Sequence, residues 1–173
     1  FTSGNALSPA QQRQLTALMR VRARNFGGGS VTVTDLDQDE EFLQMEKRDK
    51  QAFYESLKTN RTVKTLSLHN LNLDNSFADH LASSLSSNRT IQVVSLNDNA
   101  FTSPGVLTIA MAAARCKNVK SLSVMNPRFK LTNEHAEEFL QQLERHPSLT
   151  SCSIQFREKS QKERLNKCLA KAR

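Results

Sequence analysis

At 173 residues and a formal net charge of +7, the chain has room for one domain with a real core and is too short for two comfortable ones. Apolar residues make up 38% and mean hydropathy is −0.53. No stretch approaches the roughly 18 to 20 apolar residues that a membrane-spanning helix needs, which excludes that class. Three dispersed cysteines, Cys116, Cys152 and Cys168, exclude a disulfide framework and point to a reducing, cytoplasmic home.

In chain order, the first five residues show no basic region followed by an apolar run, so no signal peptide is read there. Ser8-Pro9-Ala10-Gln11 forms a capping box with proline at the first helical position. It predicts an N-terminal capping helix over 8–25, with Leu15, Leu18 and Met19 on one face and a stop at Gly27-Gly28-Gly29. The charge is uneven. Residues 1–30 hold four arginines and no acid, 31–50 hold seven acids against three bases, and 157–173 hold seven bases against two acids.

From residue 31 onward the chain repeats itself. Four strand-like segments align: Val63-Lys-Thr-Leu66-Ser-Leu68, Ile91-Gln-Val-Val94-Ser-Leu96, Val119-Lys-Ser-Leu122-Ser-Val124 and Leu149-Thr-Ser-Cys152-Ser-Ile154. A weaker first copy is Val31-Thr-Val-Thr34-Asp-Leu36. The last strand positions, 36, 68, 96, 124 and 154, stand 32, 28, 28 and 30 residues apart. Before each clear strand an apolar pair four residues apart marks one face of a helix: Phe53 and Leu57, Leu81 and Leu85, Ile109 and Ala113, Phe139 and Leu143. Ser103-Pro104, Asp74-Asn75 and Thr132-Asn133 supply helix starts. Two Asn-x-Thr sequons, at Asn60 and Asn88, share one phase of the repeat and are read as repeat residues. His146 occupies the same slot and takes a structural role there. In the last segment, 158–173, Leu165, Cys168 and Leu169 line one helix face and Arg164, Lys167 and Lys171 the other.

A strand on one side and a helix on the other cannot bury its apolar face alone, so neighbouring units must stack. The expected fold is α/β: a leucine-rich-repeat solenoid with about five short parallel strands. Repeats of this length with a full helix resemble the ribonuclease-inhibitor type, a right-handed βα superhelix. N- and C-terminal capping helices close its ends. The whole of 1–173 is read as one domain, with repeats over 31–156 and a basic helix over 158–173.

No pattern supports catalysis. His69, His80, His135 and His146 are scattered without metal-ligand spacing. The glycine run lacks the Gly-Lys-Ser/Thr of a phosphate loop. The acid run Asp35, Asp37, Asp39, Glu40, Glu41 lacks the glycine and terminal glutamate of a calcium loop. Cys152 aligns with Leu66 and Leu122 as a core residue. The calculated pI is 9.6, yet there is no Trp and a single Tyr, Tyr54, so stacking platforms for nucleic acid are missing. Strand residues expected on the concave face, Thr65, Ser67, His69, Val93, Ser95, Asn97, Ser121, Ser123, Met125, Ser151, Ser153 and Gln155, are neutral and mostly small, not a basic groove. The sequence reads as a non-enzymatic protein-binding scaffold with no cofactor or metal, and with neither nucleic acid nor membrane as partner.

One resemblance narrows the partner. Ser56-Leu-Lys-Thr-Asn-Arg-Thr-Val-Lys-Thr-Leu-Ser-Leu68 is similar to the second repeat of the leucine-rich domain of tropomodulins and leiomodins. Leu96-Asn-Asp-Asn99-Ala-Phe-Thr-Ser-Pro-Gly105-Val-Leu resembles that family's strand, turn and helix opening. Residues 131–143 resemble its next, acidic helix, and 154–173 its closing strand and basic helix. The likeness runs in order over residues 8–173. Lys159-Ser160-Gln161-Lys162 stands where the family has Gly-Pro-Arg.

What the resemblance implies is actin binding, with capping of filament pointed ends or nucleation, in the cytoplasm at the cytoskeleton. The tropomyosin-binding half of that family is absent from these residues, so tropomyosin is not expected as a partner; the domain is expected to be a monomer. The alternatives are an adaptor for another cytoplasmic protein, or a small-GTPase regulator. A GTPase-activating family uses more repeats and a long acidic tail, whereas this chain ends basic. Candidate protein-binding residues are Arg164, Lys167 and Lys171 with Arg157 and Lys162 at the basic end, then His69, Asn97, Asn99 and Met125 at the strand ends.

Overall fold

The structure is a computed structural model, and it describes residues 23–25, 32–35, 40–44 and 46–172. Six strands and six helices succeed one another there. The strands are β1 (Ala23–Asn25), β2 (Thr32–Asp35), β3 (Val63–Ser67), β4 (Val93–Ser95), β5 (Ser121–Val124) and β6 (Ser151–Ile154). The helices are α1 (Glu40–Gln44), α2 (Lys47–Thr59), α3 (Asn75–Ser87), α4 (Ser103–Arg115), α5 (Asn133–Arg145) and α6 (Lys159–Lys171). They form one sheet in sequence order, β1 to β6. From β2 to β6 every pairing is parallel, and Leu66, Val94, Leu122 and Cys152 lie side by side in register. This is the stacked βα repeat that the spacing predicts.

The front end departs from expectation. Ala23–Asn25 is a strand antiparallel to Thr32–Asp35, not the last turns of a helix reaching residue 25. The physical reason is the edge: β2 would otherwise present an open row of backbone donors and acceptors, and an antiparallel partner needs only a short connection. The rest of the expected front helix, with Leu15, Leu18 and Met19, lies outside the described residues, as do the glycine run and Leu36.

The strand phase follows the repeat. Leu66, Leu68, Leu96, Leu122 and Ile154 are buried, and so are all four helix pairs from Phe53 and Leu57 to Phe139 and Leu143. The intervening strand residues Thr65, Ser67, Val93, Ser95, Ser121 and Ser123 are half-buried on the other face. Cys152 packs against the core from the edge. At the front, aromatic rings bridge one repeat to the next. Phe53 meets Tyr54 with centroids 5.8 Å apart, Tyr54 meets Phe77 at 4.5 Å, and Phe77 meets Phe101 at 6.1 Å.

Side chains complete the corners. Asp74 Oδ1 accepts from Phe77 N at 3.2 Å and Thr132 Oγ1 from His135 N at 3.3 Å, so both N-caps form as read. The start of α4 shifts by one residue: Thr102 is the N-cap. Ser103 is instead buried, where its hydroxyl oxygen accepts from Thr132 N at 2.8 Å and sits 2.7 Å from His135 Nδ1. At the helix C-termini Asn60 and Asn88 turn the chain into the next strand: each Oδ1 accepts two backbone N–H groups, those of Thr62 and Val63 and of Thr90 and Ile91. Asn88 Nδ2 also donates to Leu57 O at 2.6 Å in the preceding repeat. His146 holds the same C-cap place but is exposed. The cross-repeat bond there comes from Ser148 Oγ, which donates to Ala114 O at 2.6 Å. An imidazole has a single ring nitrogen at the reach of the Asn amide and cannot both accept and donate there, and a serine two residues on supplies the cross-repeat bond.

At the other end of β3, β4 and β5 the chain leaves through a left-handed residue, Asn70, Asp98 and Asn126, with φ of 52°, 58° and 51°. Asn and Asp tolerate this region better than other non-glycine residues. Gly105, in the first turn of α4, permits a close approach, because a Cβ there would overlap the Asn75 carboxamide.

These contacts set two expectations. Leu96→Ala removes a fully buried side chain and is expected to cost about 2 to 5 kcal/mol in urea unfolding. Ser95→Ala, which loses one partly buried hydroxyl contact to His69 Nε2, is expected to cost no more than about 1.5 kcal/mol. Equal losses would show that the strand faces are assigned the wrong way round.

Candidate protein-interaction site

The basic end is built on α6. Its start is set by Glu158 and Gln161, with Glu158 N donating to Gln161 Oε1 at 3.4 Å. Gln161, Leu165, Cys168 and Leu169 are buried against the last repeat, so the helix closes the open end of the core. Arg157, Lys162, Lys167 and Lys171 are exposed. Among the described residues no carboxylate forms an ion pair with any of these four.

Arg164 behaves differently from the lysines grouped with it. Its Nη1 donates to Glu137 at 2.7 and 2.8 Å, and its Nε donates to Glu144 Oε1 at 3.0 Å. Both glutamates belong to α5, so this guanidinium ties the closing helix to its neighbour and is not offered to a partner. The i, i+3, i+7 spacing is right, but the position nearest α5 finds acids on that helix. Glu137 and Glu144 stand seven apart on one face of α5, which is the signal in the sequence for this clasp. Hydrogen bonding to Glu144 and then Glu137 raises the Arg164 pKa. The bond from Arg164 holds the Glu144 carboxyl below its ordinary range, with Lys171 adding a smaller effect of the same sign.

The strand-end residues come from three consecutive repeats. His69 is half-buried beside the Ser95 hydroxyl. Asn97 Oδ1 accepts from Ser123 Oγ and from Met125 N, both at 2.8 Å, which leaves Asn97 and Met125 half-buried in the turn. Asn99 is buried, and its amide is committed to backbone: Oδ1 accepts from Leu71 N and Leu73 N, and Nδ2 approaches the carbonyls of Leu68, Leu96 and Asn97. Asn99 is therefore a residue of the fold and drops out of the candidate surface. These positions lie on the strand-exit turns, on different elements from the lysines of α6.

The sequence reading passed over the most exposed large apolar side chain among the described residues, Phe129, at 56%. It sits between Arg128 and Lys130 in the turn before α5. The longer, 30-residue spacing between positions 124 and 154 was its signal. Cys152 and Cys168 are poor nucleophiles: burial pushes the Cys152 thiol up to about 12 and raises that of Cys168. No described helix is long and apolar enough to cross a membrane.

Two measurements test these assignments. Asn99→Ala strips partners from several buried backbone groups and is expected to cost at least about 2 kcal/mol, read in urea unfolding. Arg164→Ala is expected to raise the Glu144 pKa toward the ordinary carboxylate value, followed by NMR titration. Because the folded-state pKa of Glu144 is depressed, its contribution to stability is present above the unfolded value. It is lost as pH falls through the folded one. The Arg164 and Glu144 side chains are 33% and 41% exposed, so the stability change at neutral pH is expected to stay within about 1 kcal/mol.

Comparison with known proteins agrees on the fold. The family described as the TMOD/LMOD leucine-rich domain matches residues 43–173. No curated protein matches the chain. Among solved structures, the chain is similar to one titled leiomodin-1 actin-binding site 2. Identity is 18% and the TM-score 0.76, over 98% of this chain and 91% of that one. It is similar also to a tropomodulin C-terminal domain from Caenorhabditis elegans, at 14% identity and TM-score 0.76, over 94% and 92%. At such identities the two likenesses carry the fold alone. The match over residues 43–173, on a chain whose repeats stack in one sheet, shows that it belongs to the TMOD/LMOD leucine-rich domain family.

Proposed function

We propose that this chain is a non-enzymatic, protein-binding scaffold whose partner is actin, acting in the cytoplasm at the cytoskeleton as a monomer. The observation that carries the reading is family membership over residues 43–173, joined to a structural neighbour titled as an actin-binding site. The exposed lysines of α6 supply chemistry to match, since they are free to meet an acidic surface. The finer activity we assign is at the pointed end of the filament, as a cap or as a nucleator. The concave strand face, with its short neutral side chains, is a secondary contact through His69, Asn97 and Met125.

Long-range charge attraction chiefly raises association rate and specificity, and salt screens it over about 8 Å at physiological ionic strength. Reversing Lys167 and Lys171 to Glu is therefore expected to weaken binding to actin filaments several-fold at low salt in co-sedimentation. The melting temperature should change little, because both side chains are exposed and neither pairs with a carboxylate. Raising salt should weaken the wild type in the same direction. Pointed-end elongation of filaments capped at the barbed end, with and without the protein, separates capping from simple binding. Undiminished binding by the folded double variant would move the contact to the strand-exit turns.

A further inference from the structure

We propose that the turn joining β5 to α5, residues 125–132, is a docking site for an acidic protein segment that carries one large apolar side chain, with Phe129 as the anchor and Arg128, Lys130 and Arg157 as its charged surround.

The argument begins with register. In the two preceding repeats the fifth residue after the last strand position is buried and stands just before the helix N-cap: Leu73 before Asp74, Phe101 before Thr102. By that count the residue after Val124 is Phe129. Here the chain is two residues longer, and Leu131 fills the buried slot before the N-cap Thr132. Phe129 still holds on to the neighbouring turn through its backbone, its N–H donating to Phe101 O at 3.4 Å. Its ring, however, has no place in the core and is 56% exposed. Single exposed apolar residues are ordinary on a protein surface. This one differs because the same repeat supplies a substitute for its core role, which leaves the aromatic ring outside.

The charges around it select the partner. The Arg128 guanidinium lies 5.8 Å from the ring centroid. Among the described residues, Arg128, Lys130 and Arg157 form no ion pair. Arg157 belongs to the adjacent turn, joined to this one by Gln155 Nε2 donating to Asn126 Oδ1 at 3.1 Å and Asn133 Nδ2 donating to Glu158 Oε1 at 2.7 Å. Two carboxylates flank the patch, and each is already engaged by neutral donors: Asp98 by Asn126, Glu158 by Asn133 and Ser160. An aromatic anchor with one cation over its ring and others on its own and the adjacent turn fits a carboxylate-bearing segment with a side chain to cover the ring. An anionic lipid surface would meet the same cations, but bilayer attachment rests on an apolar face of several residues. Here one ring stands alone, and the other exposed large apolar residue among those described, Leu43, belongs to α1.

The test uses the whole chain and a fluorescent short peptide of Glu and Asp with one central Leu, followed by anisotropy at low salt. Phe129→Ser is expected to weaken binding about five- to thirtyfold with an unchanged melting curve, and replacing the peptide Leu by Ser should do the same. Arg128→Glu with Lys130→Glu should abolish binding, and Lys167→Glu with Lys171→Glu should leave it within about twofold. Equal binding by wild type and Phe129→Ser, or loss only on reversal of the α6 lysines, overturns the proposal. So does the absence of any binding by the wild type, or a Phe129-dependent association with phosphatidylserine vesicles in place of the peptide. Loss of actin binding on reversal of the α6 lysines would leave this result untouched, because the peptide reading rests on Phe129, Arg128 and Lys130 and not on α6.

Discussion

Strands β3 to β6 must each hand the chain to a helix through a turn that lies against the turns of its neighbours, where water cannot serve every backbone N–H and C=O. Unpartnered, such groups cost about 1 to 3 kcal/mol each. In the middle of the sheet the Asn99 carboxamide meets that demand, reaching backbone groups of five residues in its own and the preceding repeat. It has only two N–H bonds for three carbonyls, so one is shared. At the opposite corner Asn60 and Asn88 do the equivalent work between helix and strand. Apolar stacking makes the repeats adhere, but these carboxamides determine how closely consecutive backbones can approach.

The same constraint explains where the repeat becomes irregular. One repeat length beyond Asn99 the chain has Pro127, which brings neither a carboxamide nor an N–H. The turn there grows by two residues, Leu131 takes over the core slot, and Phe129 is left outside. At the helix side, Cys116 stands one repeat beyond Asn88 and its Sγ lies 3.4 Å from Leu85 O, a weaker form of the amide bridge. His146 comes next and makes none, so Ser148 supplies it. The repeat thus loosens toward its C-terminal end, where the closing helix docks.

How much of this was legible depends on which force sets each feature. Apolar spacing is written directly in the residues, so Leu68, Leu96 and the helix pair Phe139 and Leu143 were placed on the correct face. Caps that rely on the adjacent three residues, Asp74 and Thr132, were legible for the same reason. What required three dimensions was the competition between repeats. Ser103 reads as an N-cap until His135 and Thr132, thirty residues later, claim its hydroxyl. Arg164 reads as a free cation until α5 brings Glu137 and Glu144 beside it. Ala23–Asn25 reads as helix because the sequence window contains no hint that β2 needs an edge partner. Asn99 looked like a surface amide, since polar residues in turns usually are.

Arg164 also shows why charge counts alone misplace a binding face. The seven bases of residues 157–173 divide by what lies across from them. One is spent on fastening the helix: its single positive charge is shared between Glu137 and Glu144, so it offsets only part of the acidity of α5, and Lys171 also acts on Glu144. Removing Arg164 would leave Lys171 as the cation acting on Glu144, so the clasp limits the acidity beside the outer surface as well as tying α6 to α5. The buried face of α6 carries the closure itself, and the clasp orients its charged face at small cost in stability.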